Sequence, residues 1–129
     1  MGKQTFKWLD RRVAKLGPYL TLCLSEKELH SASKKLTHSK IEFPITGAQC
    51  STFCSQKTGE LCAIVSVSQQ SQNKNSSIEL AGLLIHEAVH VWQAYVENLG
   101  EVRHGDEQEA YAIQGISQEL LAEYARRIT

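Results

Sequence analysis

The sequence predicts an α+β fold: a small sheet containing antiparallel pairing, two short helices in its N-terminal part, and two long helices at its C-terminal end. Three observations predict it. Residues 50–54 and 61–67 are strand-like runs flanking Lys57-Thr58-Gly59, the pattern of a β-hairpin. Ser76 with Glu79 forms a capping box that opens a long, apolar-rich helical segment closed by Gly100. Asp106 then caps a last helix that runs to about Arg127. With 129 residues, the chain fits one domain, 1–129.

The remaining elements follow from local patterns. Phe6, Leu9, Val13 and Leu16 recur at helical spacing, and Gly17-Pro18 ends that helix. Residues 19–24 read as a strand. Ser25 with Glu28 caps a second short helix carrying Leu29, Ala32 and Leu36. Residues 41–45 form a weak extended piece, with Pro44 arguing for an edge. Residues 68–77 (SQQSQNKNSS) carry no apolar side chain and read as a mobile loop, a natural lid for whatever lies beside the helix that follows.

Composition narrows the function classes. The formal net charge is zero, which gives no general case for nucleic-acid binding. No stretch approaches the roughly 18 apolar residues of a membrane span. Residues 1–16 are charged throughout and hold no apolar signal core, so a cytoplasmic setting is expected. The four cysteines form no CxxC pair and read as reduced, small hydrophobes. Charge is uneven: residues 1–40 hold nine Lys/Arg against three acids, whereas 41–129 hold five against eleven. The two parts either neutralise each other in the fold or leave a basic partner-binding face. From Asn75 to Val102 there is no Lys or Arg, a locally negative segment compatible with a cation.

Residues 86–90 read His-Glu-Ala-Val-His, on a segment already assigned as helix. Composition alone gives about 0.02 occurrences of HExxH in such a chain, so the match carries weight. Positions i and i+4 lie one turn apart on one face, so both imidazoles can reach a single zinc ion. The intervening Glu87 projects beside the metal and can take a proton from water that zinc has made acidic. Stepping about 100° per residue from His86, His90 falls near 40°, Gln93 near 340°, and Glu79 and Glu97 near 20°. The apolar residues, Ile85 among them, occupy the rest. One narrow polar stripe on an otherwise apolar helix suits the wall of a cleft.

A catalytic zinc takes a third protein ligand and keeps one open position. Glu97 lies about 10 Å along the helix from His90, too far to help. On the last helix, Glu109 shares a stripe with the apolar Ile113, Ile116, Leu120 and Tyr124, so it faces inward, while Glu107 faces away. An inward carboxylate needs a partner, and a metal is the strongest available. Closing a capping box with Asp106 would not explain that direction. Glu109 is therefore the expected third ligand, with His104 in reserve.

HExxH followed after nineteen residues by a Glu on the next helix resembles the gluzincin branch of zinc metallopeptidases. More narrowly, HEAVHVWQ followed by EAYAIQ is similar to small metallopeptidase-like proteins of tailed phages and prophages; the likeness is tight over residues 80–125 and vaguer before them. The resemblance implies a minimal zincin-like fold, Zn2+ held by His86, His90 and Glu109, Glu87 as the base, a peptide or protein substrate, and a bacterial host cytoplasm. Two departures stand out. Larger gluzincins often carry an Asp four residues after the ligand Glu, where this chain has Ile113, so the histidines need another partner such as Gln93 or a backbone carbonyl. They also use a second lobe to stabilise the oxyanion, which is not expected here. His104 or Arg103 are the substitutes, because helical phase sends Tyr95 and Tyr111 away from the site, into the core or the opposite layer. The expected function is zinc-dependent peptide-bond hydrolysis. The alternative is a zincin-like phage assembly or interaction protein whose zinc is structural.

Overall fold

A computed structural model describes residues 6–9, 19–34, 40–54, 60–99 and 105–128. Among these lie four strands and four helices: β1 (Trp8–Leu9), β2 (Tyr19–Cys23), α1 (Glu26–Ser33), β3 (Ala48–Cys54), β4 (Leu61–Val67), α2 (Gln69–Lys74), α3 (Ser77–Leu99) and α4 (Asp106–Ile128). The class is α+β, with a mixed four-stranded sheet in the order β1-β2-β4-β3. No helix among the described residues is long and apolar enough to cross a membrane.

β4 (LCAIVSV) is buried at all seven positions, as a near-continuous apolar run should be when both sheet faces are covered. It pairs in parallel with β2 (Leu20 opposite Ala63, Leu22 opposite Val65) and antiparallel with β3 (Cys50 opposite Val65). The antiparallel pairing of β3 with β4 agrees with the sequence reading, and β3 begins two residues earlier, at Ala48. The Lys57-Thr58-Gly59 turn itself lies outside the described residues. Gly47 sets the start of β3. Its φ of 65° is a conformation that favours glycine, and its carbonyl accepts from the Ser68 N–H at 2.9 Å, across the end of the sheet.

The two faces of the sheet have different partners. Leu20, Leu22, Ala63, Val65 and Val67 form one core with Leu80, Leu84, Ala88, Val91, Trp92 and Tyr95 of α3 and Ala112, Ile116 and Leu120 of α4. On the opposite face Cys23 and Ile64 pack with Leu29 and Ala32 of α1. The sheet is thus sandwiched between a short helix and the long pair.

Three elements differ from expectation. The start of the predicted first helix is a strand: Trp8 and Leu9 pair with Thr21 and Leu20, and the Thr21 hydroxyl donates to the Lys7 carbonyl at 2.6 Å. Leu9 is buried and Trp8 is not, so the two residues alternate as a strand does, and cross-strand pairing outweighs the helical spacing. The rest of that segment, including Val13, Leu16 and Gly17-Pro18, lies outside the described residues, as does Leu36. Residues 41–45 join no strand. Residues 69–74 are helix α2 and not a mobile lid. The Ser68 hydroxyl caps it by accepting from Ser71 N, and the side-chain amides of Gln69 and Gln72 both donate to the Leu24 carbonyl at 2.8 Å. Gln72 also donates to the Val67 carbonyl. Glutamine amides supply the anchor that an apolar side chain would otherwise give.

The capping box of α3 forms in full and that of α1 in half. Ser76 and Glu79 exchange hydrogen bonds at 3.2 and 2.7 Å. At α1 the Ser25 hydroxyl accepts from Glu28 N, but the Glu28 carboxylate reaches one residue further back, to Leu24 N. Its other oxygen pairs with Arg127, whose side chain is 5% exposed and also donates to the Leu22 carbonyl. One carboxylate therefore joins the start of α1 to the end of α4. Arg127→Ala should lower the unfolding free energy by about 3 kcal/mol, the low end for breaking a buried pair, because Glu28 keeps some exposure. Ile78→Ala, at a position 82% exposed, should change it by less than about 0.5 kcal/mol. Urea denaturation of both variants checks this, and a silent Arg127→Ala would contradict it.

Candidate functional site

α3 lies along β3 and β4 and presents the HExxH turn at the sheet's edge. Its apolar residues from Leu80 to Tyr95 face the sheet and α4, which leaves the His86 side of the helix in solvent. His86 and His90 are both exposed, one turn apart, with ring centroids 4.8 Å apart and planes inclined at 77°. Their Nε2 atoms face each other at 3.2 Å. Two nitrogens of a tetrahedral zinc site, each about 2.0–2.1 Å from the ion, stand roughly 3.3–3.4 Å apart. The pair therefore fits two corners of such a site. His90 Nδ1 meets Gln93 Oε1 at 3.1 Å.

Glu87 turns the other way, toward β3, and is only 4% exposed. Burial raises its carboxyl above the usual range, and the neighbouring His86 and His90 partly offset this. An open cleft of about 440 Å³ lies between β3 and α3, lined by Ala48, Gln49, Cys50 and Thr52 on the strand and His86, Glu87, His90 and Ala94 on the helix. The strand wall is uncharged and built mainly from small side chains. Cys50 is the member of this wall that sequence reasoning missed. Its thiol is pushed up to about 12 by burial and by the negative charge of Glu87. Strand alternation puts Cys50 and Thr52 on one face, a signal in the sequence that does not show which helix that face meets.

Glu109 is half-buried on the first turn of α4, and its Oε2 accepts from Trp92 Nε1 at 3.2 Å. The inward direction expected from helical phase is present, and Glu107 is exposed as expected. The structure brings His86, Glu87 and His90 to one cleft. It does not gather Glu109 with the histidines: among the described residues, no group of three His, Cys, Asp or Glu side chains is arranged to hold a metal. His104 and Arg103 lie outside the described residues. Tyr95 packs in the core as expected, but Tyr111 is 67% exposed, because α4 buries only the face carrying Ala112, Ile116 and Leu120. Ile85, expected among the buried residues of α3, is also exposed, so the apolar arc of this helix is wider than the arc that neighbours cover.

Compared with protein families, curated proteins and solved structures, the chain matches none.

The cysteines test this geometry directly. Thiolate is the reactive form, so Cys50 is almost wholly unreactive thiol near neutral pH. Cys54, at the exposed end of β3, should alkylate first with iodoacetamide, while Cys23, Cys50 and Cys62 react slowly. Peptide mass spectrometry over a time course reads the order; Cys50 labelling as fast as Cys54 would mean that the β3–α3 contact is looser than described.

Proposed function

We propose that the chain is a zinc-dependent peptidase of minimal zincin-like form, working in the cytoplasm of a bacterial host, with His86, His90 and Glu109 as the metal's protein ligands. The observation that carries the reading is the Nε2 pair at 3.2 Å on the rim of a cleft that has a buried carboxylate, Glu87, in its wall. Zinc bound there supplies Lewis acidity for a peptide carbonyl and makes water easier to deprotonate. Glu87 accepts a proton from the attacking water and returns it to the departing amine. Burial raises its affinity for protons, which favours the accepting half of that transfer. Among the described residues β3 ends the sheet, so one of its edges pairs with no described strand, and an extended peptide can add there through main-chain hydrogen bonds. Ala48, Cys50 and Thr52 leave room for the peptide and offer it no charge. Glu109 would complete the ligand set; in this structure its carboxylate accepts from Trp92.

The second reading is a zincin-like phage assembly or interaction protein whose metal is structural. The Trp92–Glu109 hydrogen bond favours it, since that bond engages the third ligand away from the histidine pair.

Glu87→Gln separates the two. It should keep about one zinc per chain and lose hydrolysis of an unfolded protein substrate, because an amide fills the space but accepts no proton. His90→Ala should lose the zinc as well. Elemental analysis and a generic protease assay read both. Full activity in Glu87→Gln would end the proposed mechanism, and no activity in a zinc-loaded wild-type protein would favour the binding reading.

A further inference from the structure

The orientation of His90 needs its own explanation. A neutral imidazole carries one N–H, and an acceptor at one nitrogen fixes which nitrogen keeps a lone pair. Gln93 lies three residues after His90 on the same helical stripe, and its Oε1 stands 3.1 Å from His90 Nδ1. The other nitrogen, Nε2, faces His86 Nε2 at 3.2 Å. Ile113, one turn after Glu109, packs against the core and has no acceptor to offer.

We propose that Gln93 is a positioning residue: its Oε1 accepts from the His90 Nδ1–H and so commits the ring to the tautomer whose Nε2 lone pair points at the space shared with His86. The role in tautomer choice stands on the hydrogen bond alone. Its consequence for metal affinity rests on the reading of the site as a zinc centre. Gln93 is exposed, so it can be replaced without opening the core. The partner also comes from the same helix, so the orientation does not depend on how α4 sits.

Long-range 15N NMR of the imidazoles at mildly alkaline pH, where histidines are neutral, tests the first part on the metal-free protein. His90 should be the Nδ1–H tautomer in the wild type. It should lose that preference in Gln93→Leu, which has no acceptor, and in Gln93→Lys, which has only donors. Gln93→Glu, which keeps an acceptor, should restore it. Zinc titration of the same proteins tests the second part. Gln93→Leu and Gln93→Lys should bind about tenfold more weakly, as expected for removing a hydrogen-bond partner of a ligand, and Gln93→Glu should bind at least as well as wild type. Identical His90 tautomers in wild type and Gln93→Leu would overturn the proposal. If the tautomers shift as described but no protein takes up zinc through His86 and His90, the positioning role stands and the metal reading falls.

Discussion

The contact between α3 and β3 fixes where each group of the HExxH turn can go. Helical phase separates Glu87 from the two histidines by about 60–100° around the axis, so a helix resting on a strand edge must bury one and expose the others. Here the buried one is Glu87, against Cys50, and the exposed ones are His86 and His90. Had α3 rolled by one residue's angle so that His86 took the place of Glu87, a histidine would lie under the strand and the carboxylate would turn into the core, where Ala88 now sits. The apolar residues of α3 that meet Val65, Val67 and Ala63 prevent that roll, so the core of the protein and the chemistry of the cleft are set by one interface.

That interface also makes the cleft asymmetric. Its strand side carries no charged side chain, and its helix side carries the two histidines and Glu87. Such a surface fits an extended backbone better than it fits any particular side chain. The residues that meet the polar groups come from the same helix: Gln93 meets His90, and Trp92 donates to Glu109. Adjacent residues on α3 thus hold groups on opposite flanks of it. One helix, α3, supplies both partners.

Much of this was legible in the sequence because it depends on spacing along single elements. The i,i+4 histidines, the Ser25 and Ser76 helix caps, the β3–β4 pairing and the inward phase of Glu109 are all local properties. What was not legible depends on pairing across the fold. Trp8 and Leu9 look helical until β2 is placed beside them. The polar run at 69–74 looks like a loop until the Leu24 and Val67 carbonyls appear as acceptors for its glutamines. Cys50 looks like one more small hydrophobe until Glu87 is set opposite. The exposure of Ile85 and Tyr111 has the same origin: a helix's own pattern shows which faces are apolar, and only its neighbours decide which of them are covered.

X-ray absorption at the zinc edge on the zinc-loaded protein tests the central claim most directly, because it counts and types the ligands. The account predicts a first sphere of nitrogen and oxygen only, at about 2.0–2.2 Å, with two imidazoles and a carboxylate, losing an imidazole in His86→Ala. Sulfur scattering at about 2.3 Å would contradict it. Such a signal would place Cys50 or another thiol on the metal in place of Glu109.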